Sequence, residues 1–600
     1  MLPRNPRAFR LSWLCLAVLL ALLLWHSWYG PDIWNHLYLG GEVLRTRSAQ
    51  PPDPLLLRQP HYLNIYWLFQ LVVLGAHGLA GVSGVTLLFA AVWFVTFALW
   101  ARTARAFEHP GAGLPLALLS VLVCQTRFEE RPEAVSWLFL ALFVRVLSRP
   151  QSYGESSPAP LTGREILALG ISQALWANVH GYFVLGPVLA ALGLVTLPAP
   201  WAASRSARKR LLFLLVALLL CTLLTPFGIR TWGSVWELSG LLRSMRFAIE
   251  ELNPPLGPYL GLWTIQLFWL VWGATGLAAA WALIRRRGQW FAVGLALAGL
   301  LLSATSLRNV PLLVVLCAPL WGVVLPALEG PKRGGGWIKA AAAASALASL
   351  LLAGWTVQGG LHRSLRSSAR FGVEPYDHVY PGRFLEYLRR SGFSGRIFNH
   401  PRDGGFLEFH HVRARLYGDS RFADPGPARE YFEALSSPQS FLTLHARLKF
   451  DAVLLDLSSG QDALLQLLRL ADWSLAYADL HRAFLVNLRS PGGSTAPVES
   501  PVFYAGQDLS VRQEGISAIR WAFALARLER AESLLLLLRQ LSAARQVPSP
   551  VLEHALAYGI RTGNREILRA AADLYPRMLA LSAEDARAVE RLKAAAPAPD

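Results

Sequence analysis

Long apolar runs recur through the first 358 residues of this chain and constrain its fold more than any other feature. The first run, from Leu11 to Trp25, follows Arg4, Arg7 and Arg10. Charged residues make up 16% of the chain, against about 25% in an average soluble protein. A chain that crosses lipid repeatedly must satisfy its backbone polar groups internally, and helices do so. The sequence therefore predicts an α-helical polytopic membrane protein and excludes a disordered chain or a disulfide-stapled secreted scaffold.

The distribution of arginines predicts the topology. An apolar run at 66–79 is short and is interpreted as an interfacial helix, because the arginine-rich loops then all fall on one side. The net charge of +18 reports this sidedness rather than a nucleic-acid partner. About eleven transmembrane helices are expected in a cell (inner or plasma) membrane, with a cytoplasmic N-terminus and an extracytoplasmic C-terminal domain. After the first, the spans are expected at 84–101, 114–127, 133–148, 166–180, 182–198, 211–226, 259–284, 290–305, 309–328 and 337–357.

The hydropathy pattern divides the chain into four parts. Residues 1–358 form the transmembrane domain, with a large first outer loop at 30–82. Strand-like runs and short amphipathic helices predict a soluble α/β domain at 360–490. A linker rich in Ser, Pro and Gly at 491–507 leads into an α-helical, repeat-like tail at 508–600, which offers a surface for a protein partner. The linker predicts that the tail and the part of the chain before the linker fold separately.

A set of polar residues lies at the outer ends of the predicted spans. Ionisable residues in such positions are costly and are often functional. Structural alternatives stay open for each: Asp32 could cap a helix, Arg131 could pair with Glu129 or Glu130, and His180 could hydrogen-bond within a tight turn. The set comprises Asp32, His36, Glu42, Asp53, Gln70, Arg127, Glu129, Glu130, Arg131, Glu133, Asn178, His180, Glu250, Glu251, Arg308 and Asn309.

Several short motifs occur in an order that is typical of one superfamily. The segment Pro31-Asp32-Ile33-Trp34-Asn35-His36-Leu37, with Gly40, Gly41 and Pro52-Asp53-Pro54, resembles the first outer loop of the GT-C superfamily, in particular of a bacterial branch of GT-C-like membrane proteins. The resemblance covers about residues 1–490. Further matching stretches are Tyr66-Trp67-Leu68-Phe69-Gln70, Arg131-Pro132-Glu133, Ala177-Asn178-Val179-His180-Gly181, Leu224-Thr225-Pro226-Phe227-Gly228, Arg308-Asn309-Val310-Pro311, Arg396-Ile397-Phe398-Asn399 and Gly418-Asp419-Ser420-Arg421.

The resemblance implies a function and assigns roles. GT-C enzymes transfer a sugar, with inversion, from a polyprenyl-phosphate carrier to an acceptor at the outer membrane face. Asp32 matches the acidic residue that acts as base, and Asp53 resembles a second acidic position. His36 would support the carboxylate, and no residue is assigned as a metal ligand, although a divalent cation is left open. The carrier phosphate would bind at Arg308, Arg131 and His180, supported by Asn178, Glu133 and Asn309.

Some residues depart from the family pattern, and two other functions remain open. Tyr66 stands where relatives often carry an acidic residue, and Asn35 replaces a common aromatic residue. A non-catalytic assembly or scaffold protein would use the helical tail. A transporter of lipid-linked glycans would show internal repeats and charges near the bilayer midplane, and the sequence shows no clear repeat.

Overall fold

The computed structural model divides into two compact units. Unit 1 comprises residues Met1–Pro52 and His61–Glu374, and unit 2 comprises Asp53–Pro60 and Pro375–Asp600. The structure describes residues 6–58, 63–148, 161–196, 205–244, 249–285, 289–329, 336–365, 369–373, 379–421, 425–457, 463, 466–468, 470, 472–490, 512–528, 530–542 and 547–574. The predicted linker at 491–507 and the end of the tail lie outside these residues.

Unit 1 is built from helices, in keeping with the apolar runs of its sequence. Local signals fix several of their starts: α4 begins at Pro110, and α6 begins with a capping box in which the Thr162 side chain and Glu165 bond reciprocally. The helices are α1 (Pro6–Leu24), α2 (Asp32–Thr46), α3 (Trp67–Thr103), α4 (Pro110–Cys124), α5 (Pro132–Ser148), α6 (Gly163–Ala177), α7 (Leu185–Val195), α8 (Arg205–Cys221), α9 (Arg230–Ser244), α10 (Trp263–Arg285), α11 (Trp290–Thr305), α12 (Val310–Glu329), α13 (Gly336–Val357) and α14 (Gly360–Ser364).

The long helix α3 is broken where the sequence predicts a boundary between an interfacial helix and a span. Ala80 and Gly81 have non-helical backbone angles, and Gly81 has φ of 57°, a conformation that glycine adopts without strain. The segment before the break packs closely on α2, since a Cβ at Gly40 would lie 2.6 Å from the Gln70 carbonyl oxygen. The predicted division of 66–79 from 84–101 therefore corresponds to a real interruption of the helix.

Within the described part of the chain, four helices are long and apolar enough to cross a membrane: Trp67–Thr103, Trp263–Arg285, Leu307–Glu329 and Gly336–Val357. Shorter apolar helices lie at Phe9–Leu24, Gly181–Val195 and Trp290–Thr305. These helices are those of a membrane protein, as predicted. The count of eleven spans and their orientation stay predictions.

Unit 2 contains a five-stranded sheet with the order β2-β1-β3-β5-β4. Strand β1 is parallel to β2 and β3, and β5 is antiparallel to β3 and β4. The predicted α/β architecture is thus present, with β4 as a strand that the sequence pattern did not reveal. The elements are α15 (Gly382–Ser391), β1 (Arg396–Asn399), α16 (Pro401–Phe409), β2 (Arg415–Leu416), α17 (Pro425–Ser436), α18 (Pro438–Leu448), β3 (Ala452–Asp456), β4 (Trp473–Ala478), β5 (Arg482–Asn487), α19 (Arg512–Arg527), α20 (Ala531–Leu541), α21 (Ser549–Thr562) and α22 (Arg565–Leu574).

The helical tail shares one hydrophobic core with the α/β domain. Trp521 of α19 is buried in the same cluster as Leu457 and Leu480 of the α/β domain. Its indole Nε1 donates a hydrogen bond to the Asp479 carbonyl oxygen at 2.8 Å, and Arg520 donates another to the Leu457 carbonyl oxygen. The sequence-based expectation of two separately folding parts is therefore replaced by one unit, because the apolar face of α19 is buried against the α/β domain.

Candidate active site

A short polar turn between α4 and α5 supplies most of the candidate site. A 3-10 turn at Gln125–Arg127 ends α4, and Pro132 begins α5. The turn and the first residues of α5 place Arg127, Glu129, Arg131 and Glu133 within seven positions. Arg127, Glu129 and Glu133 are all buried. Buried charges persist only when they are paired, and this turn supplies both signs.

The two arginines of the turn are paired with its own carboxylates. Arg131 Nε lies 2.7 Å from Glu129 Oε2, so the pairing that the sequence offered as a structural alternative is present. Arg127 Nη2 lies 3.2 Å from Glu133 Oε2, and Arg127 Nη1 lies 3.6 Å from Glu129 Oε1. Neighbouring Glu130 is also buried; burial raises its pKa to about 7, opposed in part by nearby His26. The turn therefore combines fixed ion pairs with one carboxyl group that titrates near neutral pH.

Asp32 joins this cluster from the start of α2. The residue preceding it, Pro31, is the N-cap and makes no side-chain capping bond, so Asp32 is the first helical residue rather than the cap. Its Oδ2 atom lies 3.3 Å from Arg131 Nε. The side chain is 31% exposed, more than that of any other carboxylate paired with Arg127, Arg131 or Arg308. The structure thus brings two of the predicted site residues into contact and leaves the carboxylate accessible.

Arg308 reaches the same cluster from the turn between α11 and α12. It lies in a 3-10 turn, Leu307–Asn309, in which the Ser306 hydroxyl accepts a hydrogen bond from the Arg308 backbone N–H. Its guanidinium contacts the Glu133 carboxylate. Asn309, beside it, accepts a hydrogen bond of 3.1 Å from the Tyr182 hydroxyl. Arg131, Glu133 and Arg308, three of the residues predicted from sequence, therefore form one connected site with Asp32.

Glu251 belongs to the polar set identified from sequence, but the sequence predicted no role for it, and the structure places it in contact with the arginines of this site. It lies in a 3-10 turn, Glu250–Leu252, before α10. Its carboxylate is 2.7 Å from Arg127 Nη1, 2.6 Å from Arg131 Nη1 and 4.0 Å from Arg308 Nη1. Burial alone would raise the pKa of Glu251, but these three arginines hold it well below its usual value. The sequence signal was only an acidic pair in a long loop, with nothing to indicate which arginines it would meet.

His180 lies beside the cluster and is held in one tautomer. Its Nδ1 atom lies 2.8 Å from the Ser136 hydroxyl and accepts a hydrogen bond from the Tyr182 backbone N–H. Because Nδ1 accepts from the Tyr182 N–H it carries no proton, so the Ser136 hydroxyl donates to it while the Ser136 oxygen accepts from Trp176 Nε1. Burial lowers the pKa of His180 to about 3. The ring is therefore neutral at physiological pH and carries its proton on Nε2.

Two further predicted residues make contacts that are structural in kind. The Asn178 side chain accepts from Trp67 Nε1 and donates to the carbonyl oxygens of Ala174 and Leu224, with all three distances 2.8 Å. It thereby joins the end of α6 to the start of α3. The ring of His36 packs edge-on against Phe69, with ring centroids 4.9 Å apart. The proposed support of Asp32 by His36 stays a prediction.

Asp53 is placed in unit 2 and is not brought together with Asp32 within one unit. Its carboxylate contacts Arg421, which also contacts Asp419 and lies 3.4 Å from Glu408. Carboxylate oxygens of Asp53, Glu408 and Asp419 lie within 4.8 Å of one another, a grouping that could hold a metal ion. The guanidinium of Arg421 lies among the same oxygens and offsets part of their negative charge.

The segment that carries Asp53 is attached to the sheet of unit 2. Leu56 forms a parallel bridge with Leu416 of β2. The Leu57 backbone N–H donates to the Leu416 carbonyl oxygen at 2.8 Å, and the Leu416 N–H donates to Leu55 at 2.7 Å. Part of the first loop is therefore added beside β2 as an extra strand-like segment.

Comparison with known proteins gives similarity in structure alone. No protein-family model and no curated protein matches the sequence. The fold is similar to that of the oligosaccharyltransferase AglB from the archaeon Archaeoglobus fulgidus, solved with an inhibitory peptide and a dolichol-phosphate: the TM-score is 0.53 and the identity 13%, over 76% of this chain and 70% of that one. It is also similar to ArnT from Cupriavidus metallidurans bound to undecaprenyl phosphate, with a TM-score of 0.51 and 13% identity, over 81% of this chain and 99% of that one.

Both of these proteins are members of the GT-C superfamily. The chain has the GT-C fold, and the resemblance inferred from its short motifs is confirmed at the level of the fold.

Proposed function

We propose that this chain is a membrane glycosyltransferase, which transfers a sugar from a polyprenyl-phosphate carrier to an extracytoplasmic acceptor. The observation that carries the proposal is the accessible Asp32 carboxylate, 3.3 Å from Arg131 Nε, within a cluster that also contains Arg127 and Arg308. The solved structures of two proteins with this fold contain a dolichol-phosphate and an undecaprenyl phosphate, which supports a lipid phosphate as the ligand.

The transfer needs a base, and Asp32 suits that role. In a direct displacement, the acceptor oxygen attacks the anomeric carbon while its proton passes to a carboxylate. Asp32 is 31% exposed, whereas Glu133 is 3% exposed and is held against Arg308. Asp32 can therefore meet an acceptor hydroxyl without a rearrangement of the buried ion pairs.

The leaving group of this reaction is a lipid phosphate, and the arginines of the cluster can stabilise its negative charge. When the bond between the anomeric carbon and the phosphate oxygen breaks, the electron pair stays on that oxygen, so negative charge increases there. Guanidinium groups bind phosphate oxygens with two parallel hydrogen bonds, and positive charge that is already in place lowers the barrier. Arg131 and Arg308 supply that charge, and the Nε2–H of neutral His180 can donate a further hydrogen bond.

The test of the base is Asp32→Asn in the full-length chain, which preserves shape but removes proton acceptance. We expect normal expression and a loss of about 10²–10⁴-fold in sugar transfer, measured as consumption of a polyprenyl-phosphate sugar pool. Glu42→Gln is the matched control, because Glu42 lies on the same helix and pairs with Arg45. Undiminished donor consumption by Asp32→Asn would remove Asp32 from the reaction.

The proposal also requires the cluster to face the extracytoplasmic side. The arginine distribution predicts this orientation. Reporter fusions after residues 50, 240 and 370 should read extracytoplasmic, and fusions after 108, 160, 206, 288 and 334 should read cytoplasmic. A cytoplasmic reading after residue 240 would place Glu251 and its arginines on the wrong side for a lipid-linked donor.

The alternative function of an assembly or scaffold protein would require the helical tail to bind a partner. The described tail helices pack into the core of unit 2, so recruitment of a protein partner would use their outer faces. That role is compatible with catalysis and is tested separately, by asking whether tail variants that keep the core retain sugar transfer.

A further inference from the structure

The three arginines of the candidate site converge on one carboxylate. Glu251 Oε2 lies 2.7 Å from Arg127 Nη1 and 2.6 Å from Arg131 Nη1, and Glu251 Oε1 lies 2.7 Å from Arg131 Nη1 and 4.0 Å from Arg308 Nη1. Two oxygens surrounded by three guanidinium groups resemble the environment of a bound phosphate. The position at which the arginines meet is thus occupied by a side chain of the protein itself.

Glu251 differs from the other carboxylates of the cluster in how it is attached. Glu129 belongs to the same turn as Arg127 and Arg131, and Glu133 lies in the first turn of α5 and is 3% exposed. Glu251 comes from a separate loop and is 18% exposed. Its main chain is tied to the turn of Arg308, since the Ser306 hydroxyl donates to the Glu251 carbonyl oxygen at 2.8 Å. Glu251 therefore combines an anchored backbone with a partly exposed side chain, and an outward rotation of the side chain would need both.

The charges of the cluster show why such a rotation would matter. Asp32, Glu129, Glu133 and Glu251 together provide one more negative charge than Arg127, Arg131 and Arg308 provide positive charge. A phosphate that entered beside Glu251 would meet this excess. With Glu251 turned away, the remaining charges are equal in number and the phosphate takes over its arginine contacts.

We propose that Glu251 is an internal counter-ion that holds the arginine cluster together and is displaced by the phosphate of the lipid carrier. The inference rests on the proposed function for the identity of the ligand, and the phosphate group is the chemistry that the three guanidinium groups recognise. Glu251 is then a positioning residue that sets carrier affinity: it keeps the arginines in place between turnovers and competes with the phosphate product.

The experiment measures binding of undecaprenyl phosphate to the full-length protein in detergent, for the wild type, Glu251→Gln, Glu133→Gln and Arg308→Gln. Glu133→Gln is the matched control, since it removes the same charge from the same cluster but from a fixed helical position. We expect Glu251→Gln to lower the Kd at least about tenfold, because it removes a competing charge in direct contact with the arginines. Glu133→Gln should give no comparable gain, and Arg308→Gln should weaken binding.

Kinetics supply a second readout, which a purely structural role would not produce. In sugar transfer, Glu251→Gln should lower the KM for the donor and also lower kcat, because the lipid phosphate product leaves more slowly. Glu251→Asp keeps the negative charge on a shorter side chain, so its KM and kcat should lie between those of the wild type and those of Glu251→Gln. Inorganic phosphate should bind Glu251→Gln much more weakly than undecaprenyl phosphate does.

The outcomes separate this inference from the proposed function. If the wild type binds undecaprenyl phosphate and Arg308→Gln does not, while Glu251→Gln binds no more tightly than the wild type, the phosphate site stands and displacement is refuted. An equal gain in affinity for undecaprenyl phosphate in Glu251→Gln and Glu133→Gln would show that only the net charge of the cluster matters. That result would also refute displacement. Equal affinity for inorganic phosphate would overturn the lipid assignment. Failure of every variant and of the wild type to bind either phosphate would overturn both proposals.

Discussion

Trp521→Ala should destabilise the α/β domain and not only the tail in which Trp521 lies. The indole is 1% exposed and packs in a core that includes residues from both sides of the predicted linker. Replacing a buried Trp by Ala costs about 3–5 kcal/mol. Since a typical domain is stable by about 5–15 kcal/mol, a large share of the stability of unit 2 is at stake.

Trp521→Phe separates the contribution of packing from that of the hydrogen bond. Phenylalanine retains much of the apolar surface but loses the Nε1 donor to the Asp479 carbonyl oxygen. The loss of one such bond costs about 0.5–1.5 kcal/mol, so the stability of Trp521→Phe should lie between that of the wild type and that of Trp521→Ala. Ile560→Ala is the control, because Ile560 is 61% exposed on α21 and contributes little to the core.

The assay is limited proteolysis of the full-length protein in detergent across a temperature range, with fragments identified by mass spectrometry. Trp521→Ala should make cleavage within 379–490 begin at a lower temperature, together with cleavage of the tail. Early loss of the tail alone, with the α/β domain resisting protease to its normal temperature, would refute the shared core and restore two independently folding parts.

Two further predictions concern the charges of the site. Burial lowers the pKa of His180 to about 3, so His180 binds a proton more readily when the chain is unfolded. The contribution of neutral His180 to the free energy of unfolding should be fully present above about pH 6.5 and should fall as the pH drops toward 3. The loss should be about 2 kcal/mol at about pH 5. His180→Asn, whose Oδ1 can accept from Ser136, should therefore flatten the fall in melting temperature between about pH 7 and pH 5, and an unchanged slope would contradict this. A chelator should leave donor consumption intact, because guanidinium groups contact Asp32 and the three other carboxylates of its cluster, Glu129, Glu133 and Glu251. A loss of activity that Mn²⁺ restores would contradict this prediction.

Much of the fold was predictable because membrane helices and amphipathic elements leave strong periodic signals. The predicted spans at 290–305, 309–328 and 337–357 correspond closely to α11, α12 and α13. The break in α3 was anticipated from the short apolar run before it and coincides with Gly81. Strand β4 was missed because Trp473–Ala478 is mostly buried and shows no regular alternation of buried and exposed residues. The tail was assigned to a separate part because composition reveals a linker but not what the helices beyond it pack against.

The sequence predicted several residues of the candidate site but did not predict how they are arranged. The sidedness of the loops singled out Asp32, Arg131 and Arg308, which the structure places in one cluster. Asp53 was grouped with them because it lies in the same loop, yet the bridge between Leu56 and Leu416 assigns its segment to the other unit. Sequence proximity cannot show to which body a loop segment attaches.

The role of Glu251 could not be predicted from sequence, for a reason that applies to buried charge in general. A single acidic residue in a long loop is usually solvated, and its importance depends on how many cations surround it. Here each of three arginines already has a carboxylate from its own turn or from a neighbouring helix end, and Glu251 is the additional anion that all three approach. Glu251 lies where the three guanidinium groups converge, and its charge offsets their mutual repulsion at that point while no ligand is bound. The excess of carboxylates over arginines is visible only when four segments come together: the start of α2, the α4–α5 turn, the turn that holds Glu251 and the α11–α12 turn. This excess links the stability of the cluster to its proposed function.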